Sequence, residues 1–137
     1  MKTTVLVGAA IIKDGKILLL KRSETKSFLP GYYDLPGGKL KESEDPNQAV
    51  LRELKEETGL EGEIIRPYNA WSSVETIKGI EEHIVDIDYL VRVREIGRIT
   101  LSAREHSEYM WVGRHHLPEK LTPELKATII KALSSAD

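Results

Sequence analysis

Apolar residues along this chain fall into short runs separated by polar turns, except near the middle, where the spacing changes. "TVLVGAAII" (residues 4–12) is followed by "KDGK" and then by "ILLLKRS", so two apolar runs flank Asp14-Gly15. An Asp-Gly break between such runs predicts a β-hairpin. The opening Lys2 and the apolar run after it also have the outline of a signal peptide. The run is short, however, and Lys13–Lys16 stands where a small-residue cleavage site belongs, so the hairpin is the preferred reading. "GEIIRPYNAWSSVET" and "EEHIVDIDYLVRVRE" read as strands, the second alternating imperfectly through Ile84, Asp86, Asp88 and Leu90, and "EYMWVG" as a short one.

Residues 46–58 read as a helix instead. Asp45 is a suitable N-cap, Pro46 takes the first helical position, Gln48 completes a capping-box-like pattern and Gly59 ends the run. A second amphipathic helix, "TPELKATIIKAL", is capped by Thr122 and carries Leu125, Ile129 and Leu133 at spacing four. Between hairpin and first helix, residues 23–45 are rich in Gly, Pro and charge and read as a long loop, a length that usually means function or disorder. Strands before and after one helix, and a helix closing the chain, predict a single α/β domain over residues 1–137 with a mixed sheet between helices.

Composition narrows the function classes. The 137 residues carry a formal net charge of −2 with 31% charged residues, which gives no general attraction to nucleic acid or to an anionic membrane. The absence of cysteine excludes a disulfide framework and thiolate metal sites. No stretch approaches the roughly 18 apolar residues of a membrane span, so a cytoplasmic protein is expected.

The middle helix contains the chemistry. In "RELKEETGL" (residues 52–60), Glu53, Glu56 and Glu57 share one arc of the helix beside the apolar face of Val50, Leu51 and Leu54, at about 100° of rotation per residue. Like charges at this spacing repel. Arg52 and Lys55 project from other parts of the wheel, so intrahelical pairing compensates only in part. Either the face is simply solvated, or it meets a cation; a hard divalent ion takes oxygen ligands from a couple of carboxylates, with water and substrate phosphates completing its shell.

The spacing around the helix decides between these. Gly38, Glu44, Arg52, Glu53, Leu54, Glu56, Glu57, Gly59 and Leu60 stand at nine specified positions within 23 residues. They match the Nudix box at each fixed position, and the chain therefore resembles a Nudix hydrolase of the MutT-like kind. "LLLKRS", "GYYDLPGGK" and "EHSEYMWV" are similar to family segments in the same order, so the likeness covers most of the chain. Two departures stand out. Lys41-Glu42-Ser43 replaces the acidic residue and Pro-Gly common in that loop, and Tyr33 stands where tryptophan is common.

The resemblance implies a Nudix-type α/β/α sandwich with a central mixed sheet, and hydrolysis of a nucleoside diphosphate linked to another moiety by water attacking phosphorus. It implies Mg²⁺ as cofactor, with Mn²⁺ as a substitute, held by Glu56, Glu57 and the Gly37 carbonyl. Glu53 acts as a further ligand or as base, Arg52 orients a neighbouring carboxylate, and Glu44 is an outer-shell ligand. A carboxylate from outside the box is expected at Glu105, with Glu108 as its competitor. Arg22, Tyr33 and Gly38 are substrate-side candidates, and Phe28, Tyr33 and Trp71 are candidates to stack on a base, though a lone aromatic more often belongs to a core. The four histidines form no ligand-spaced cluster and are read as surface or structural.

Subfamily marks narrow the substrate by absence. The proline some 15 residues past the box that marks many ADP-ribose pyrophosphatases is missing, since Pro67 comes too early and the next is Pro118. Thr76, Ile77 and Lys78 occupy the place of the tyrosine of many dinucleoside-polyphosphate hydrolases. A nucleoside triphosphate, standard or modified, is then the expected substrate, with ADP-ribose or another nucleotide sugar as the alternative. A non-catalytic nucleotide-binding module is the rival from another class. The expected partner is the nucleotide alone, with no nucleic acid and no membrane, and homodimerisation is left open.

Overall fold

The computed structural model describes residues 1–135. Strands β1 (Lys2–Ala10), β2 (Ile12–Lys13), β3 (Lys16–Arg22), β4 (Tyr33–Asp34) and β5 (Gly37–Lys39) precede helix α1 (Pro46–Thr58). Strands β6 (Glu63–Ile77), β7 (Ile80–Arg92) and β8 (His106–Val112), a short 3₁₀ turn (Arg114–His116) and helix α2 (Pro123–Ser135) follow.

The strands form two sheets. The first has the order β5-β1-β7-β6, and β1 runs parallel to β7 over Lys2↔Glu82 to Ala10↔Leu90 while its other pairs are antiparallel, so the expected mixed sheet is present. The second is antiparallel around β3, with β2 and β4 pairing it along part of their length and β8 pairing it from Ile17↔Val112 to Arg22↔His106. The hairpin around Asp14-Gly15 forms, with both residues at positive φ (52° and 75°) as a two-residue turn of this kind requires. Lys78-Gly79 makes the same kind of turn between β6 and β7. Pro67 lies on the edge strand β6 at a register shift, where its missing N–H breaks no ladder.

β3 explains why its sequence does not alternate. Ile17, Leu18, Leu19 and Leu20 are all fully buried, because both faces of the strand are covered. Leu18 and Leu20 join Val7, Ala9, Ala49, Val50 and Leu54 in a core under α1. Ile17 and Leu19 join Leu90, Val112, Ile129 and Ala132 in a second core under α2. The layers are thus helix, sheets, helix.

Both helices end as their sequences direct. Asp45 accepts from the Asn47 N–H at 2.8 Å, although no return bond from Gln48 is present among the described residues. Thr122 caps α2 by accepting from the Leu125 N–H. Gly59 closes α1 at φ 78° and donates its N–H to the Lys55 carbonyl. The stretch 23–45 differs from a plain loop. It lays β4 on the second sheet, opposite Leu20 and Lys21, then β5 on the first, opposite Leu6, Val7 and Gly8, and so ties the sheets together. No described helix is long and apolar enough to cross a membrane.

Gly59→Ala is expected to destabilise the fold by about 1 kcal/mol, because alanine carries the left-handed penalty there. Space is not the cause, since an added Cβ meets nothing within 4 Å. Urea melts of the two proteins check this, with an unchanged m-value.

Candidate active site

The glutamates of α1 meet β5 at the edge of the first sheet. Glu57 is 7% exposed and accepts from the Gly37 backbone N–H at 2.8 Å. Glu53 lies over Gly38 so closely that a Cβ there would come within 2.6–2.8 Å of its carboxylate. Any larger residue at 38 would push that carboxylate aside.

Arg52 corrects the helical-wheel picture. Its long side chain bends back across the acidic arc, reaching Glu53 at 2.9 Å and Glu56 at 3.2 Å with one guanidinium nitrogen. The remaining nitrogens grip both oxygens of Glu44, at 2.7 and 2.9 Å, and the Lys39 carbonyl. Glu44 also accepts from the Lys41 N–H. This pairing holds the Glu44 carboxyl down at about 2, the Arg52 bond being the largest cause and the Lys41 bond the next. Lys55 turns away to Glu61.

Glu57 is the carboxylate that Arg52 does not reach. Burial pushes it up to about 9 despite the Gly37 bond, and Asp34, Glu53 and Glu105 add repulsion. Glu53 is also raised by burial, against the pull of Arg52. Two residues not anticipated as site members stand beside them. His106, 4% exposed, puts Nε2 3.1 Å from Asp34 and Nδ1 3.8 Å from Glu57, with Nδ1 unpaired. Asp34 in turn pairs with Arg22 at 3.3 Å. The only sequence hints were their neighbours, the Gly37-Gly38 pair and Glu105.

The remaining candidates separate. Glu105 pairs with Lys26, which lowers its carboxyl, and it acts on Glu57 through space. Glu108 is 61% exposed at its side chain and faces Tyr33 Oη at 3.3 Å and Lys21. Arg22 is committed to the Phe28 carbonyl and Asp34. Among the described residues, no three Asp, Glu or His groups are already closed around one point. A concavity of ≈ 630 Å³ beyond the far end of α1 is lined by Arg92, Arg94 and Arg98 but also by Glu61, Glu63 and Glu95, a balanced set away from these groups.

A NUDIX domain model matches residues 2–133. The chain belongs to the Nudix hydrolase family. It is 34% identical over 114 residues to the CTP pyrophosphohydrolase of Escherichia coli K12, covering 81% of this chain and 76% of that one. It is 31% identical over 134 residues to an 8-oxo-dGTP diphosphatase of Haemophilus influenzae, covering 96% and 93%. Among solved structures, a MutT Nudix hydrolase from Burkholderia pseudomallei superposes with TM-score 0.83 at 30% identity, covering 96% of this Nudix chain and 98% of the other. The Nudix α/β fold expected from the box is therefore present.

The raised Glu57 carboxyl makes a prediction for metal-free protein. Its folded value lies above the unfolded one, so its contribution to stability is full below about 4.5 and is lost as pH rises toward about 9. In excess chelator, Glu57→Gln is expected to melt higher than wild type at pH 8.5, and the difference is expected to vanish near pH 4. Calorimetry across this range checks it.

Proposed function

We propose that this Nudix hydrolase is a magnesium-dependent pyrophosphohydrolase of nucleoside triphosphates, releasing nucleoside monophosphate and pyrophosphate. The observation that carries the reading is Glu57, a buried carboxyl beside Glu53 that no Lys or Arg among the described residues pairs with, only the His106 Nδ1 lying within 3.8 Å. The donor set fits a hard divalent ion: Glu53, Glu56, Glu57 and the Gly37 carbonyl offer oxygen only. When bound, the metal would neutralise the polyphosphate and polarise the attacked phosphoryl group. Arg52, braced by Glu44, would hold Glu53 and Glu56 in place, a support that ligating carboxylates usually need. Glu53 would take the proton of the attacking water, with Glu105 as the second candidate for that task. Support for a triphosphate comes from the two relatives above, both named for nucleoside triphosphate substrates.

The test is product release from a panel of nucleoside triphosphates, ADP-ribose and dinucleoside polyphosphates. Cleavage is expected with Mg²⁺ or Mn²⁺ and none in excess EDTA, giving monophosphate and pyrophosphate. Nucleoside diphosphate among the products would place attack at a different phosphorus, and preferred cleavage of ADP-ribose would replace the triphosphate reading.

Glu57→Gln is expected to lower kcat by roughly 10²-fold, on the scale of one lost transition-state electrostatic contact. Glu105→Gln is expected to lose a comparable factor. Activity within about threefold of wild type would instead make Glu105 a partner of Lys26 only, and Glu108→Gln would then be assayed in its place.

A further inference from the structure

The face of the first sheet turned toward α2 carries polar groups that metal binding does not use. Along one lateral row stand Gly37, Gly8, Asp88 and Asn69; along the next stand Lys39, Leu6, Asp86 and Trp71. Asp88 is satisfied, since its Oδ2 accepts from the Thr128 hydroxyl at 2.7 Å. Asp86 stands two residues from Asp88 on the same strand face, and its Oδ1 is buried without a partner. Trp71, directly across the ladder on the same face, has a buried indole N–H that is likewise unpaired. Thr4, 8% exposed, adds a third unpaired group, its Oγ1, one row further along. Buried polar groups nearly always find partners. An acceptor and a donor left open side by side point to something that comes to meet them.

We propose that Asp86 and Trp71 read the hydrogen-bonding edge of the substrate's heterocyclic base, Asp86 Oδ1 as acceptor and Trp71 Nε1–H as donor, and so determine which nucleotide the enzyme prefers. The inference rests on the nucleotide-hydrolase reading and deepens it. Placement agrees. Glu57 is bonded to Gly37 on β5, while Asp86 lies two strands away and two residues along on β7, roughly 12 Å at the usual strand spacing and rise. That separation leaves room for the sugar between a bound base and its phosphates. Burial, followed by the neighbouring Asp88, favours the protonated form of Asp86. A proton given to Asp88 leaves Oδ1 as the free acceptor.

The experiment pairs kinetics with binding. In Trp71→Phe and Asp86→Leu, the ratio of kcat/KM between the best and worst nucleoside triphosphates is expected to fall about tenfold or more, with the loss in KM rather than kcat. Asp86→Asn is expected to keep the wild-type ranking, because its amide can donate to Asp88 while its oxygen still accepts. In wild-type protein held in chelator, the Trp71 indole N–H resonance, assigned by its absence in Trp71→Phe, is expected to shift with the preferred nucleotide and not with ribose 5-phosphate. Nucleotide binding that leaves this resonance in place, or a ranking unchanged in both disruptive variants, overturns the inference and leaves the hydrolase reading standing. Wild-type protein that neither binds nor cleaves any nucleotide removes the hydrolase reading itself, and the base-recognition role with it.

Discussion

The hydrogen bond from the Gly37 N–H to the buried Glu57 carboxylate ties the helix that carries the acidic groups to the sheet that positions them, with the Arg52 bond to the Lys39 carbonyl beside it. It is an unequal bargain for the chain alone. One backbone donor cannot offset the desolvation of a carboxylate, and the surrounding Asp34, Glu53 and Glu105 add to the strain. The neighbouring glutamates are stabilised by Arg52, whose guanidinium touches Glu44, Glu53 and Glu56 together. The acidic face is therefore divided. One part is bound and held in place by Arg52, and the other, Glu57, is left without a Lys or Arg partner among the described residues.

The fold serves this division by bringing distant segments to one edge. β4 and β5, two and three residues long, belong to different sheets, and the short stretch between them delivers Asp34 on one side and Gly37 on the other. β8 starts at His106, placing that imidazole between Asp34 and Glu57. The two cores, one on each side of β3, anchor α1 and α2 separately, so the edge is built on rigid elements rather than on the loops alone.

What could be read beforehand follows from this construction. The helix around the glutamates announced itself through Asp45, Pro46 and Gly59, because caps are local chemistry. The strands of β6 and β7 were visible as long runs, and the box spacing identified the family. β4 and β5 were not visible, since strands of two or three residues have no period and Gly37-Gly38 resembles a turn. Asp34 and His106 were missed because their convergence on Glu57 exists only after both sheets pair. The placing of Arg52 apart from the glutamates failed for another reason: a wheel records where Cβ points, and a guanidinium on a long stem can return to the face it left.

The parallel pairing of β1 with β7 also bears on how the protein comes to be folded. Residues 2–10 pair along their whole length with residues 82–90 and over Leu6–Gly8 with β5, while β6 and β7 meet across a two-residue turn. Closing so long a stretch of chain is slow relative to forming a hairpin. During synthesis the β1–β7 pairing must therefore wait until most of the polypeptide has emerged. Pulse-labelled hydrogen exchange would record this as protection of the β6–β7 amides ahead of those of β1. The sheet that carries Gly37 is thus complete only once β7, late in the chain, has been made.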